Sequence, residues 1–125
     1  MKELVFKRCN KCGALVEVLE DCNCIDCGIM CCGEEMKIVK ANSVDAAVEK
    51  HVPIYEVGDQ EMVVSVNHVM EEEHYIEWII VQTNDSIYKK KFVPGDTPSI
   101  KIPYSEQAIL YSYCNKHGLW KSIVE

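Results

Sequence analysis

The cysteines and histidines of this 125-residue chain are segregated. Seven of the eight cysteines (Cys9, Cys12, Cys22, Cys24, Cys27, Cys31 and Cys32) precede residue 33, whereas His51, His68, His74 and His117 all follow residue 50, together with Cys114. Metal chemistry is the simplest reason for such a division, and it implies two different sites. A sulfur-rich cluster suits zinc or thiolate-bound iron, while imidazoles with a single thiolate suit a redox metal that must also meet a substrate. A chain of this length has room for one ordinary domain and one small unit that depends on metal.

Several classes of function are excluded early. Residues 1–8 mix charges with Leu4, Val5 and Phe6 and hold no apolar run long enough for a signal peptide or a membrane span. A cytoplasmic location is therefore expected, where thiols stay reduced and open to metals. The net charge of −7 argues against a general nucleic-acid binder. Lys89-Lys90-Lys91 is the only basic run, and it reads as the exposed face of a strand.

The chain divides in pattern near residue 38. Residues 1–38 form a cysteine-rich metal-binding unit whose short segments, punctuated by Gly13, Gly28 and Gly33, are too small for a core of their own, so metal must supply their folding energy. Asn42 to Glu49 reads as a helical turn or two capped by Asn42 or Ser43. Across 39–125 the period shifts to two, with strand-like runs at 52–57, 61–66, 75–83, 87–93, 99–102 and 107–113, rich in Val, Ile and Tyr. Turn signals separate them at Gly58-Asp59, Asn84-Asp85-Ser86 and Pro94-Gly95-Asp96. The pattern predicts a mainly β protein of six or seven strands, a small antiparallel sandwich or barrel.

The first constellation is Cys9-Asn10-Lys11-Cys12-Gly13 followed by Cys31-Cys32-Gly33. A Cys-x-x-Cys knuckle lets two thiolates grip one ion from a tight turn, and the glycine after it lets the backbone fold back towards sulfur. Three readings are open at this point: a structural zinc ribbon, one iron held by Cys9, Cys12, Cys31 and Cys32, or an iron-sulfur cluster that draws in some of Cys22, Cys24 and Cys27.

The second constellation is His51, His68, His74 and the knuckle Cys114-Asn115-Lys116-His117. Four neutral imidazoles can surround ferrous iron in a plane, with one thiolate donating electron density from below and the opposite position left open to a small ligand. An open position makes a site catalytic. Lys50 beside His51 would place positive charge near it and draw in a small anion, although Glu49-Lys50 also fits a plain solvated pair at a helix end.

Three strings in this region closely resemble superoxide reductases of the desulfoferrodoxin and neelaredoxin family: Glu49-Lys50-His51-Val52-Pro53, the run from His68 to Trp78, and the run from Tyr113 to Trp120. The similarity extends from about Lys37 to Lys121 and includes every proposed ligand. It implies an immunoglobulin-like antiparallel β-sandwich carrying a square-pyramidal iron, with His51, His68, His74 and His117 equatorial and Cys114 axial. It further implies that Lys50 guides superoxide and supports protonation, and that Glu49 occupies the sixth position when the iron is ferric. The family reaction takes superoxide, one electron and two protons to hydrogen peroxide, with rubredoxin or a ferredoxin-like protein as donor and a homodimer as the usual assembly.

The first 38 residues resemble the desulforedoxin-like part of desulfoferrodoxins, in which the residues matching Cys9, Cys12, Cys31 and Cys32 hold one iron. Cys22, Cys24 and Cys27 depart from that pattern. They resemble instead the variant of methanogen reductases, methanoferrodoxin, that carries an iron-sulfur cluster (4Fe-4S). The rival to an enzyme is a non-catalytic iron-binding module for electron transfer or iron sensing; a zinc-ribbon interaction protein is a weaker third reading.

Overall fold

The computed structural model describes residues 1–23 and 28–125. It resolves into two compact units, Lys2–Lys40 and Ala41–Glu125 with Met1. The described residues are mainly β, and no helix among them is long and apolar enough to cross a membrane.

In the larger unit seven strands form two antiparallel sheets. In chain order, with five short strands of the smaller unit coming first, they are β6 (Ile54–Val57), β7 (Glu61–Ser65), β8 (Ile76–Gln82), β9 (Ile87–Lys91), β10 (Ser99–Pro103), β11 (Ala108–Cys114) and β12 (Gly118–Val124). One sheet has the order β10-β7-β6 and the other β12-β11-β8-β9. Period-two alternation decides which faces meet: Met62, Val64 and Ile102 from the first sheet share one buried cluster with Ile79, Val81, Leu110 and Val124 from the second. This is the antiparallel sandwich that the pattern predicts.

One irregularity in this frame matters to the site. Tyr113 pairs with Trp78, yet Cys114 pairs with Ile76, so Glu77 is skipped in the ladder. In a regular ladder Glu77 would face the core beside Ile79. The bulge substitutes Ile76, which is fully buried, and leaves Glu77 half-buried.

The sequence pattern missed β12 and misjudged the join between the units. The only helix there is a 3-10 turn, Val48–Lys50, and its capping position is Ala47, with no side-chain cap. Asn42, expected as a cap, adopts a left-handed φ of 58° and clamps β12 instead. Its Nδ2 donates to the Lys121 carbonyl at 3.2 Å, its Oδ1 accepts from the Lys121 N–H at 2.9 Å, and its own N–H donates to Leu119. A short polar side chain that satisfies a strand edge outcompetes a helix start.

The smaller unit contains β1 (Val5–Arg8), β2 (Leu15–Val18), β3 (Met30–Cys31), β4 (Glu34–Glu35) and β5 (Lys37–Ile38). β1 lies between β2 and β5, and β3 pairs with β4 as a separate ribbon. Among the described residues its interior is slight: Phe6, Cys9 and Met36 are the buried apolar side chains, with Lys7 buried beside Asp21 in an ion pair of 2.9 Å.

Truncating the shared core should be costly where exposed positions are tolerant. Leu110→Ala, at a fully buried site, is expected to lower stability by about 2–5 kcal/mol. Ile123→Ala, on the neighbouring strand but 56% exposed, should change it by less than about 0.5 kcal/mol in the same chemical-denaturation experiment.

Candidate metal centres

The larger unit gathers its donors at one end of the sandwich. His51 follows the 3-10 turn, His68 and His74 lie in the β7–β8 connection, Cys114 is the last residue of β11, and His117 lies in the turn to β12. The candidate ligand atoms of these five residues lie within 4.8 Å of one another.

Which nitrogen of each ring faces inward follows from what the other does. His51 Nδ1 lies 2.7 Å from the Ala47 carbonyl, to which it must donate, so Nε2 is left with a free lone pair. His68 repeats the device, with Nδ1 against the Val69 carbonyl. Its Nε2 stands 3.4 Å from Cys114 Sγ. His117 presents Nδ1 instead, 3.0 Å from His51 Nε2 and 3.8 Å from the same sulfur. His74 Nε2 is buried with no hydrogen-bond partner among the described residues. An orphaned buried nitrogen, aimed at three others and a thiol sulfur, is what a metal ligand looks like without its metal.

Residues outside the donor set hold it in place. Asn115 laces the Cys114–His117 turn to the segment carrying His74: its Oδ1 accepts from the Tyr75 N–H, its Nδ2 donates to the Glu73 carbonyl, both at 2.9 Å, and its N–H donates to the Tyr75 carbonyl. The Ser112 hydroxyl, fully buried, donates to the His51 carbonyl at 2.7 Å, and Ser122 does the same for Pro53 at 2.6 Å. Trp120 stacks on the His51 ring at 4.8 Å between centroids, while its indole N–H donates to the His117 carbonyl. Sequence reasoning passed over Asn115, Ser112 and Trp120, because their roles rest on long-range partners.

Electrostatics favours neutral rings. Burial pushes the His68 pKa below the ordinary 6.5, against the Val69 hydrogen bond, and the other three imidazoles add to the effect. Burial also lowers that of His74, followed by the influence of His117, Lys116 and His51. Neutral imidazole is the form that binds metal, so these shifts reduce competition from protons. Five donors exceed the four of a closed structural zinc site, and imidazoles with one thiolate fit iron. Glu49 and Lys50 stay exposed on the 3-10 turn next to His51, outside the cluster of ligand atoms.

The smaller unit brings together Cys9, Cys12, Cys31 and Cys32, again within 4.8 Å. Gly13, with φ of 79°, lets its N–H return to the Cys9 carbonyl at 2.9 Å, which closes the knuckle. Backbone N–H groups of Cys12 and Lys11 pull the Cys9 pKa down to about 6, which favours its thiolate form. Cys31 is pushed up to about 12, chiefly by hydrogen bonding with Cys12 and then with Cys9 and Cys32. One cation in their midst relieves that crowding. Cys12 and Cys31 sulfurs are 3.6 Å apart and those of Cys31 and Cys32 3.9 Å. Four sulfurs at about 2.3 Å from one ion stand about 3.8 Å apart in a tetrahedron, so the spacing suits a single metal. Cys22 is exposed and outside this group, and Cys24 and Cys27 lie outside the described residues.

A β-sandwich with a cluster of four histidines and a cysteine at one end, preceded by a four-cysteine unit, defines a class of non-haem metal protein. Residues 43–123 match the family model of desulfoferrodoxin, and the chain belongs to that family. It is 40% identical to the desulfoferrodoxin of Syntrophotalea carbinolica, over 97% of each chain, and 41% identical to that of Nitratidesulfovibrio vulgaris, over 92% of each. The crystal structure of the superoxide reductase from Treponema pallidum superimposes with a TM-score of 0.71 at 29% identity, covering 97% of this chain and 99% of that one.

Two outcomes follow from the geometry. Asn115→Ala removes two hydrogen bonds to the histidine-bearing segment and should cost about 1–3 kcal/mol, with iron released to a chelator at least several times faster than from the parent. Because His68 and His74 have folded pKa values below 6.5, the unfolded chain takes up protons first on acidification. The melting temperature of metal-free protein should hold above about pH 6.5 and fall progressively below it.

Proposed function

We propose that this protein is a superoxide reductase that converts superoxide to hydrogen peroxide with one electron and two protons. The reading is carried by the convergence of His51 Nε2, His68 Nε2, His74 Nε2, His117 Nδ1 and Cys114 Sγ, five donors of mixed softness at one end of the sandwich. The superoxide reductase of Treponema pallidum, similar over nearly the whole chain, supports it.

His51, His68, His74, His117 and Cys114 would hold the iron, which when bound supplies the reducing electron. Cys114 is fully buried, so its sulfur would donate electron density in a setting that water screens little. The carbonyls of Ala47 and Val69 fix the tautomers of His51 and His68, so neither ring turns its N–H towards the centre. Lys50 is exposed beside His51, and its charge favours the approach of a small anion in a chain of net charge −7. Glu49 and Lys50 both lie where water reaches, so protons for the departing peroxide can come through them. Each turnover consumes one stored electron. A small electron-transfer protein of the rubredoxin or ferredoxin kind would restore it.

For the smaller unit we propose one iron on Cys9, Cys12, Cys31 and Cys32 in preference to a 4Fe-4S cluster, on the strength of sulfur spacings that suit a single ion.

Anaerobically reduced, iron-loaded protein mixed with a pulse of superoxide should oxidise stoichiometrically, release hydrogen peroxide and evolve no oxygen. A rate no faster than that of free ferrous iron would instead support an iron-storing or iron-sensing module. Lys50→Ala should slow the reaction about tenfold at low ionic strength and flatten its salt dependence. About two irons per chain with no acid-labile sulfide are expected on elemental analysis; matching excess iron and sulfide would establish the cluster.

A further inference from the structure

The segments that carry the donors are unfavourably charged for an anionic substrate. His74 is preceded by Glu71, Glu72 and Glu73, all exposed, and His51 by Glu49 and Lys50. Asn115 fastens the Cys114–His117 turn directly to the acidic segment through the Glu73 carbonyl at 2.9 Å. Those segments therefore present four carboxylates against two lysines, Lys50 and Lys116, on a chain already at −7. At such a mouth a monoanion is repelled unless cations stand closer to its path than the carboxylates do.

Lys116 is well placed to be one of them. It lies in the turn between two donors, Cys114 and His117, and its side chain is exposed. His51 and His117, each directly after a lysine, approach to 3.0 Å through their ring nitrogens, so Lys50 and Lys116 come to the cluster on two separate segments. The Asn115 clamp fixes the backbone on one side of Lys116, and Gly118, with φ of 75°, turns it on the other.

We propose that Lys116 is a second guiding cation of the site, which offsets the acidic run Glu71–Glu73 and raises the local concentration of small monoanions such as superoxide. The proposal rests on the reading of the site as a superoxide reductase, and extends it from the lysine next to His51 to the lysine next to His117. Lys116 acts on the approach of substrate and has no part in holding metal.

The test compares iron-loaded protein with Lys116→Gln, Lys116→Arg and Lys116→Glu. Two readouts are taken across a salt series: the second-order rate with superoxide, and the dissociation constant of azide, a stable monoanion, for the oxidised protein by absorption. At low ionic strength Lys116→Gln should lose about threefold to tenfold in both, Lys116→Glu should lose more, Lys116→Arg should match the parent, and all should converge at high salt. Parent-like values and an unchanged salt slope in Lys116→Gln would overturn the proposal, as would a loss that persists at high salt or an altered absorption spectrum, since these mark a structural role. If the parent reduces no superoxide while azide affinity follows the charge at residue 116, the proposed function fails and the guiding role stands.

Discussion

Crowding of electron pairs is the constraint around which the larger unit is built. Four imidazole nitrogens and a sulfur lie within 4.8 Å of one another, and His74 Nε2 has no hydrogen-bond partner among the described residues, so a cation in their midst would satisfy what the protein itself leaves unpaired. Each neighbour of the cluster resists the tendency of these groups to turn away. Ala47 and Val69 hold two rings by their far nitrogens, Trp120 stacks on the first of these, His51, and Ser112 pins the backbone of His51 to the sheet. Preorganisation of this kind shifts the cost of assembling the site from metal binding to folding.

The sandwich makes that cost bearable. Its core of Met62, Val64, Ile79, Val81 and Leu110 is fully buried, and the donors sit on the connections at one end, where strand geometry places little demand on side-chain type. The bulge at Glu77 belongs to the same design, because it keeps a carboxylate out of the core while Cys114 continues the inward row of β11. In the smaller unit the balance is reversed. Phe6, Cys9 and Met36 give little apolar burial, and the knuckle at the buried Cys9 is as much the interior as any side chain there.

Much of this was legible in the sequence for definite reasons. Short runs rich in Val, Ile and Tyr between turn signals marked six of the seven strands of the sandwich, and the cysteine and histidine strings named the two clusters because ligand chemistry restricts residue type. β12 escaped because Gly118-Leu119-Trp120-Lys121-Ser122-Ile123-Val124 does not alternate cleanly: Trp120 faces the site and Leu119 is buried on the other side. Asn42 was misread because a helix cap and a strand clamp use the same side-chain atoms, and only the partner, 79 residues away, distinguishes them. Asn115 and Ser112 have the same character, since hydrogen bonds across 40 to 61 residues leave no local period, and Trp120 shares it through its stack on the distant His51 ring.

The separation of His51 and His117 by 66 positions has a mechanical consequence. An ion bound to both would tie the chain into a loop of that length, with His68, His74 and Cys114 as further knots. By the chain-entropy treatment used for disulfides, a single closure of this size disfavours the unfolded ensemble by about 4 kcal/mol. The site would then act as a reversible cross-link, so that the sandwich is stapled shut at one end for as long as the ion stays and can fray from that end once it leaves.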